Sequence, residues 1–218
     1  MQPLDEREMA AQLRKPHGEN AVLVSEFMQK ANENLYKEFS KIFSPAPGSS
    51  ILEIGPANGA FIGTVLSCGQ NLRYTSIDLS EEMVDASKKL NETLLRSGKI
   101  EITQGNCRKM NFESSAFDYI IGINTVYFWD PIELYLEEIK RVLKPSANLI
   151  LAYRTKSGMM ELPFSRYGFS LYEAEDLELI LRKSGFGSVY SNSFPEEISG
   201  PDGRKLRLDA VFTLASSL

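Results

Sequence analysis

The chain has 218 residues, 43% of them hydrophobic, and its 24 Lys+Arg against 29 Asp+Glu give a net charge of −5. That balance is of one ordinary globular unit, able to bury about 70% of the surface its unfolded chain exposes, and it excludes disorder, collagen-like repeats and coiled-coil rods. No apolar run approaches the roughly 20 residues of a membrane helix, and a net negative chain without a basic cluster is a poor partner for nucleic acid.

Taken in chain order, Met1 to about Ser44 is predicted helical: Val24, Phe27, Met28, Leu35, Phe39 and Phe43 fall at helical spacing. Pro16-His17-Gly18 interrupts this segment and Ser44-Pro45-Ala46-Pro47-Gly48 ends it. A strand follows at residues 50–55, a helix at 59–68 and a strand at 72–78. Ser80 has the chemistry of an N-cap, with Glu81 and Glu82 in the first turn of a helix running to about Arg96. Residues 100–103 and 117–123 are strands, the second apolar on both faces. Asp130-Pro131-Ile132-Glu133 is expected to open a helix with a capping acid, proline at its first position and a glutamate reaching back. Ala147–Tyr153 is a fifth strand, Tyr172–Lys183 a helix stopped at Gly185, and 186–193 and 206–214 two last strands joined by a polar turn.

This alternation predicts an α/β fold: a three-layer sandwich around a seven-stranded, mostly parallel, Rossmann-like sheet with one antiparallel edge strand. An N-terminal helical cap, residues 1–47, precedes a compact unit, residues 48–218. Ligands of such sheets bind at the carboxyl ends of the strands, so the loops that matter start near Gly55, Asp78, Gln104, Asn124 and Arg154.

Glu53-Ile-Gly55-Pro56-Ala57-Asn58-Gly59 lies between a strand and a helix. Small residues there suit either a tight turn or the close approach of a ligand to backbone N–H groups. Asp78, 19 residues after Gly59, ends the next strand, where a carboxylate can accept both hydroxyl hydrogens of a ribose or cap the helix behind Ser80. Together they point to a nucleoside cofactor. A dinucleotide loop needs glycine at 55, 57 and 60, and this chain has Gly55, Ala57 and Ala60.

With Ser76-Ile-Asp-Leu-Ser80, Gly105-Asn-Cys107, Phe117-Asp118 and Arg141-Val-Leu-Lys-Pro145, this loop resembles the class I S-adenosylmethionine-dependent methyltransferases. It is most similar to their small-molecule group, which includes quinone-biosynthesis enzymes, and the likeness covers roughly residues 48–154. The resemblance implies S-adenosyl-L-methionine as cofactor and S-adenosyl-L-homocysteine as product. Glu53 would orient the loop and hold the methionine ammonium through water, and Gly55, Pro56, Ala57, Asn58 and Gly59 would pass under the cofactor. Asp78 would take the ribose, Leu79 and Met83 would flank the adenine, Asn106 and the Cys107 N–H would meet its edge, and Asn124 and Thr125 would line the sulfonium end. Ala57 and Asn106 stand where the family usually has glycine and aspartate.

The candidate acceptor residues are Tyr127, Trp129, Arg154, Met159 and Phe164, the last two in a long segment, Thr155–Ser170, rich in methionine and aromatics. No base is evident; the candidates are Tyr127 and His17, the only histidine. With Cys68 and Cys107 the only cysteines, a disulfide framework and a four-ligand Cys/His zinc site are excluded, and no metal is expected. The expected function is therefore methyl transfer to O, N or activated C of a small acceptor, by a cytoplasmic monomer or homodimer with no membrane or nucleic-acid partner. The start Met1-Gln-Pro-Leu-Asp-Glu-Arg has no pattern of a secretory signal. The competing readings are a cofactor-binding protein without turnover, a nicotinamide oxidoreductase, and a protein or RNA methyltransferase with an extended acceptor surface.

Overall fold

The computed structural model describes residues 4–199 and 203–218. Helices α1 (Glu6–Arg14) and α2 (Ala21–Ile42) lead into strand β1 (Ser50–Ile54), followed by α3 (Ile62–Ser67), β2 (Arg73–Asp78), α4 (Glu81–Leu90), α5 (Glu92–Arg96) and β3 (Ile100–Gln104). Strand β4 (Phe117–Ile123), α6 (Ile132–Val142), β5 (Leu143–Arg154), α7 (Lys156–Met159), α8 (Ala174–Lys183), β6 (Val189–Ser199) and β7 (Lys205–Ser216) complete the order. The first residues of the expected N-terminal helix, and part of the turn between the last strands, lie outside the described residues.

The seven strands form one sheet in the order β3-β2-β1-β4-β5-β7-β6. The first five are parallel; β7 runs antiparallel to β5, and β6 antiparallel to β7. The expected mostly parallel sheet with an antiparallel edge is therefore present. Strand β1 is buried along its whole length and β4 nearly so, because helices cover both faces. On one face Leu136 and Ile139 of α6 and Leu177 of α8 pack on Leu52, Ile120 and Leu149. On the other, Leu35 and Phe39 of α2 join Ile62 and Val65 of α3 against Ile51, Ile121 and Phe212. The second half of α2 thus belongs to the outer layer of the sandwich.

Several elements differ in extent from their sequence signals. The helix expected from Gly59 starts at Ile62, because Gly59 turns with φ +70°. The helix expected over 80–96 breaks at Asn91, whose Nδ2 donates to the Gly59 carbonyl at 3.0 Å. Asp130 does not cap α6: Pro131 is its extended N-cap, after a cis Asp130–Pro131 bond, and no side chain caps the helix. Strand β5 begins earlier than expected, and β6 and β7 are longer, so the final hairpin extends past the sheet.

At the amino ends of the strands, Asp118 accepts from Ser50 N at 2.8 Å and from Lys144 Nζ at 2.8 Å. Arg141 donates to the carbonyls of Met110 and Phe112 and to Glu138. Both motif residues hold loops far from the carboxyl ends. Among the described residues, no helix is long and apolar enough to cross a membrane.

A buried acid binds α2 to the sheet. Glu53, 1% exposed, accepts from Tyr36 Oη of α2 and from Tyr74 Oη of β2, both at 2.5 Å. Burial pushes its pKa up, while the two hydroxyls pull it down; burial also raises both tyrosines. Tyr36→Phe leaves one carboxylate oxygen without its donor. It should lower unfolding stability by about 1–3 kcal/mol, measured by urea denaturation, and an unchanged midpoint would show that the clamp is dispensable.

Candidate cofactor and acceptor cavity

The strand order reverses between β1 and β4, and one continuous cavity opens at their carboxyl ends. Its floor is Ile54, Gly55 and Ala57 after β1, Asp78 and Leu79 after β2, and Asn124 and Thr125 after β4. Leu13, Phe27, Met28 and Asn32 of α1 and α2 roof it, and the segment after β5 with Ile198 and Ser199 of β6 closes its far side.

The glycine loop owes its shape to its own packing. Gly55 has φ +69°, and a Cβ there would lie 2.6 Å from Thr125 Cγ2. At Gly59, φ +70°, a Cβ would collide with Ser87 Oγ and Asn91 Nδ2. Ala57 is also left-handed, φ +52°, a conformation that costs an alanine about 1–2 kcal/mol. It is held there by its N–H, which donates to Asp78 Oδ2 at 3.1 Å.

Asp78 accepts on its other oxygen from Ser80 N at 2.9 Å. Burial raises its pKa to about 6 against the pull of these backbone donors. Beside it, Leu79 is 38% exposed, and Met83 is buried at the cavity wall. Cys107 lies in the same wall, its thiol pushed up to about 12, first by burial and in part by Asp78, so it stays neutral. Asn106 also lines the cavity, with Oδ1 accepting from Arg108 N at 2.9 Å.

The other end is built on Tyr127, Trp129, Arg154, Met159 and Phe164, all buried and all on the cavity wall. Tyr127 Oη accepts from Arg154 N at 2.5 Å and lies 3.1 Å from Asn124 Oδ1 and 3.2 Å from the Arg154 carbonyl. Burial raises its pKa well above the ordinary tyrosine range, and these three contacts hold its hydroxyl in place. Asn124 Nδ2 donates in turn to Asn32 Oδ1 of α2 at 2.8 Å.

The cavity thus gathers Gly55, Ala57, Asp78, Leu79, Met83, Asn106, Cys107, Asn124 and Thr125 with the five acceptor candidates. It leaves out Glu53, Pro56, Asn58, Gly59 and His17. Glu53 is enclosed by its two tyrosines, and His17 is exposed, with Nδ1 2.9 Å from the Lys15 carbonyl and Nε2 3.9 Å from Glu8. Nothing in the sequence nominated Asn32, Ile198 or Glu196, because each is brought to this end only by contacts between residues distant in the chain. Among the described residues, no group of three or more His, Cys, Asp or Glu could hold a metal.

Residues 52–151 match the family model of the methyltransferase domain. The chain is 28% identical over 163 residues to a demethylmenaquinone methyltransferase of Bacillus cereus, covering 73% of this chain and 64% of that protein. It is 23% identical over 128 residues to an O-methyltransferase of Pyrenophora dematioidea, covering 59% of this chain and 48% of that one. The chain thus spans less than two thirds of the length of either relative. In fold it is similar to a chain of the complex between the Haloferax volcanii Trm112 methyltransferase activator and a methyltransferase. That match has a TM-score of 0.75 at 15% identity and covers 88% of this chain and 92% of the other. A SAM-dependent methyltransferase from Aquifex aeolicus aligns with a TM-score of 0.63 at 20% identity, covering 99% of this chain and 100% of the other.

Ala57→Gly removes the left-handed strain at a residue where glycine's freedom is useful. It should leave the stability unchanged or raise it by up to about 1 kcal/mol, read from the denaturation midpoint. A clear loss would mean that the methyl group packs usefully in the loop.

Proposed function

We propose that this chain, in which residues 52–151 match the methyltransferase domain family, is a class I enzyme that transfers a methyl group from S-adenosylmethionine to a small acceptor held in the same cavity. The observation that carries the reading is the continuity of that cavity. A ribose-type carboxylate, Asp78, and the apolar shelf of Leu79 and Met83 stand at one end, and Tyr127, Trp129, Met159 and Phe164 at the other.

Two features fit these residues to the cofactor. The Oγ1 of Thr125, on the wall beside Gly55, is buried with no hydrogen-bond partner among the described residues. Leu79, exposed beside Asp78, offers the apolar face that a flat base would cover. When bound, the cofactor supplies an electrophilic methyl group in an in-line displacement. The protein's part is alignment and exclusion of water. Asp78 accepts the two ribose hydroxyls, Leu79, Met83 and Cys107 enclose the base, and Asn124 and Thr125 stand at the sulfonium end. Helix α1 and the first half of α2 act as a cap over the cavity and exclude solvent through Leu13, Phe27 and Met28. Glu53 acts on the site from behind, by holding α2. The roofed shape supports a small-molecule acceptor over an extended peptide or RNA, as do the names of the two relatives.

Losing a charged acceptor is worth about 1.5–3 kcal/mol, so Asp78→Ala should weaken S-adenosylmethionine binding about 10–150-fold in calorimetric titration. The ionised form of Asp78 is the one that accepts both hydroxyls. Affinity should therefore be highest above its pKa of about 6 and fall as the pH drops through that value, by up to about tenfold per unit. The alanine variant should lack this fall. Equal binding by both proteins, or pH-independent binding by the native one, would remove Asp78 from the site.

A further inference from the structure

Arg154 ends β5 at the acceptor side of the cavity and is 5% exposed. A buried guanidinium must be paired, and this one is: Nε donates to Glu196 Oε2 of β6 at 2.8 Å, and Nη2 to the Ala31 carbonyl of α2 at 2.7 Å. The carboxylate side chain of Glu196 is wholly buried and is not on the cavity wall. Among the described residues Nη1 has no hydrogen-bond partner. The pair is therefore polarised: its negative pole is buried off the cavity wall, with Oε1 lacking a hydrogen-bond partner among the described residues, and its positive pole is on the wall, fixed at two of its three nitrogens. Arginine's planar fork suits such a task, since fixing two nitrogens fixes the third.

The rest of this end holds no group that could take a proton. Met159, Leu162, Phe164, Phe169 and Ile198 are apolar, and the Tyr127 hydroxyl is committed to Asn124 and the Arg154 backbone. An acceptor that needed deprotonation by the protein would find no evident base here, whereas one that is already an anion finds in Arg154 a cation held in one orientation by two hydrogen bonds, with Arg14 of α1 the second arginine on the cavity wall.

Building on the reading above, we propose that Arg154 is the specificity-determining residue for the acceptor, binding through Nη1 an anionic oxygen of an acidic aromatic or enolic molecule. Glu196 is its positioning residue, acting only through the orientation of the guanidinium.

The chain's single tryptophan, Trp129, lines the cavity, so quenching of its fluorescence reports occupancy. The probes are 4-nitrobenzoate and its neutral isostere 4-nitrobenzamide, titrated into protein saturated with S-adenosylhomocysteine. The benzoate should bind at least about tenfold more tightly than the amide, as a hydrogen bond to a charged group would give. Arg154→Ala alone would strand Glu196 in the interior and endanger folding. The test variant is therefore Arg154→Gln with Glu196→Gln, its fold checked by circular dichroism and thermal melting. It should lose the preference for the anion and keep its affinity for the amide. Glu196→Gln alone should reduce the preference, and Arg154→Lys should restore only part of it. Equal affinities in the native protein, no binding of the benzoate, or a preference that survives in the double variant would each overturn the proposal. So would a double variant that keeps the preference and loses S-adenosylhomocysteine, because Arg154 would then hold the cofactor's own carboxylate. The titration is repeated without S-adenosylhomocysteine. A protein that shows the anion preference but binds no S-adenosylhomocysteine would uphold Arg154 and overturn the methyltransferase reading.

Discussion

Glu53 is the constraint on which the rest of the site rests. A carboxylate with 1% exposure costs least when both its oxygens are satisfied, and here both are, by hydroxyls from two different layers. Tyr74 is a neighbour within the sheet; Tyr36 is not. Its hydroxyl brings α2 down onto β1 two residues before the glycine loop, and its ring stacks on Phe61 at 4.1 Å, just beyond that loop. One buried acid therefore sets the distance between the cap helix and the floor of the cavity. Ala31 and Asn32 lie about one turn before Tyr36 on the same helix. Their contacts with Arg154 and Asn124 are registered by that clamp.

The connection between α1 and α2 is tied to the same floor from the other side. Ser80 Oγ caps α4 by accepting from Met83 N and donates to the Pro16 carbonyl, while Gly18 N donates to Glu82. Ser80 also gives its backbone N–H to Asp78. The residue read from the sequence as an N-cap thus joins the Asp78 turn to the roof of the cavity, and the two hydrogen bonds to Pro16 and from Gly18 do what a covalent link would do in a smaller protein.

Much of this arrangement is written locally and is legible for that reason. Parallel strands carry their burial in continuous apolar runs, and Gly55, Asp78, Asn106 and Asn124 stand at strand ends that such runs mark out. What was not legible depends on contacts between distant residues. The sequence around Glu53 does not reveal Tyr36 and Tyr74, 17 and 21 residues away, so it does not show that this acid is enclosed by two tyrosines and set off the cavity wall. Glu196 is 42 residues from Arg154, in a hairpin whose polar, alternating ends ran on beyond the apolar core of each strand. The start of α6 misled for a different reason: the proline that commonly begins a helix can also stand just outside it when its own ψ is extended, as at Pro131, ψ 136°.

Asp78 and Arg154 place opposite demands on the free protein. The Arg154 charge is compensated within the fold by Glu196 and the Ala31 carbonyl, so the guanidinium is ready before anything binds. Asp78 has only backbone N–H groups, and burial raises its pKa to about 6. Such a shift favours the folded state below the ordinary carboxylate range, and that advantage is lost as the pH rises through about 6. Near neutrality the ionised Asp78 therefore works against folding, as do the left-handed Ala57 beside it and the uncovered Leu79. A ligand bringing two hydroxyl donors and a flat apolar face would relieve the first and the last of these together. By mass action its binding energy would then appear as stability of the loop, of Ser80 and of the roof that Ser80 holds.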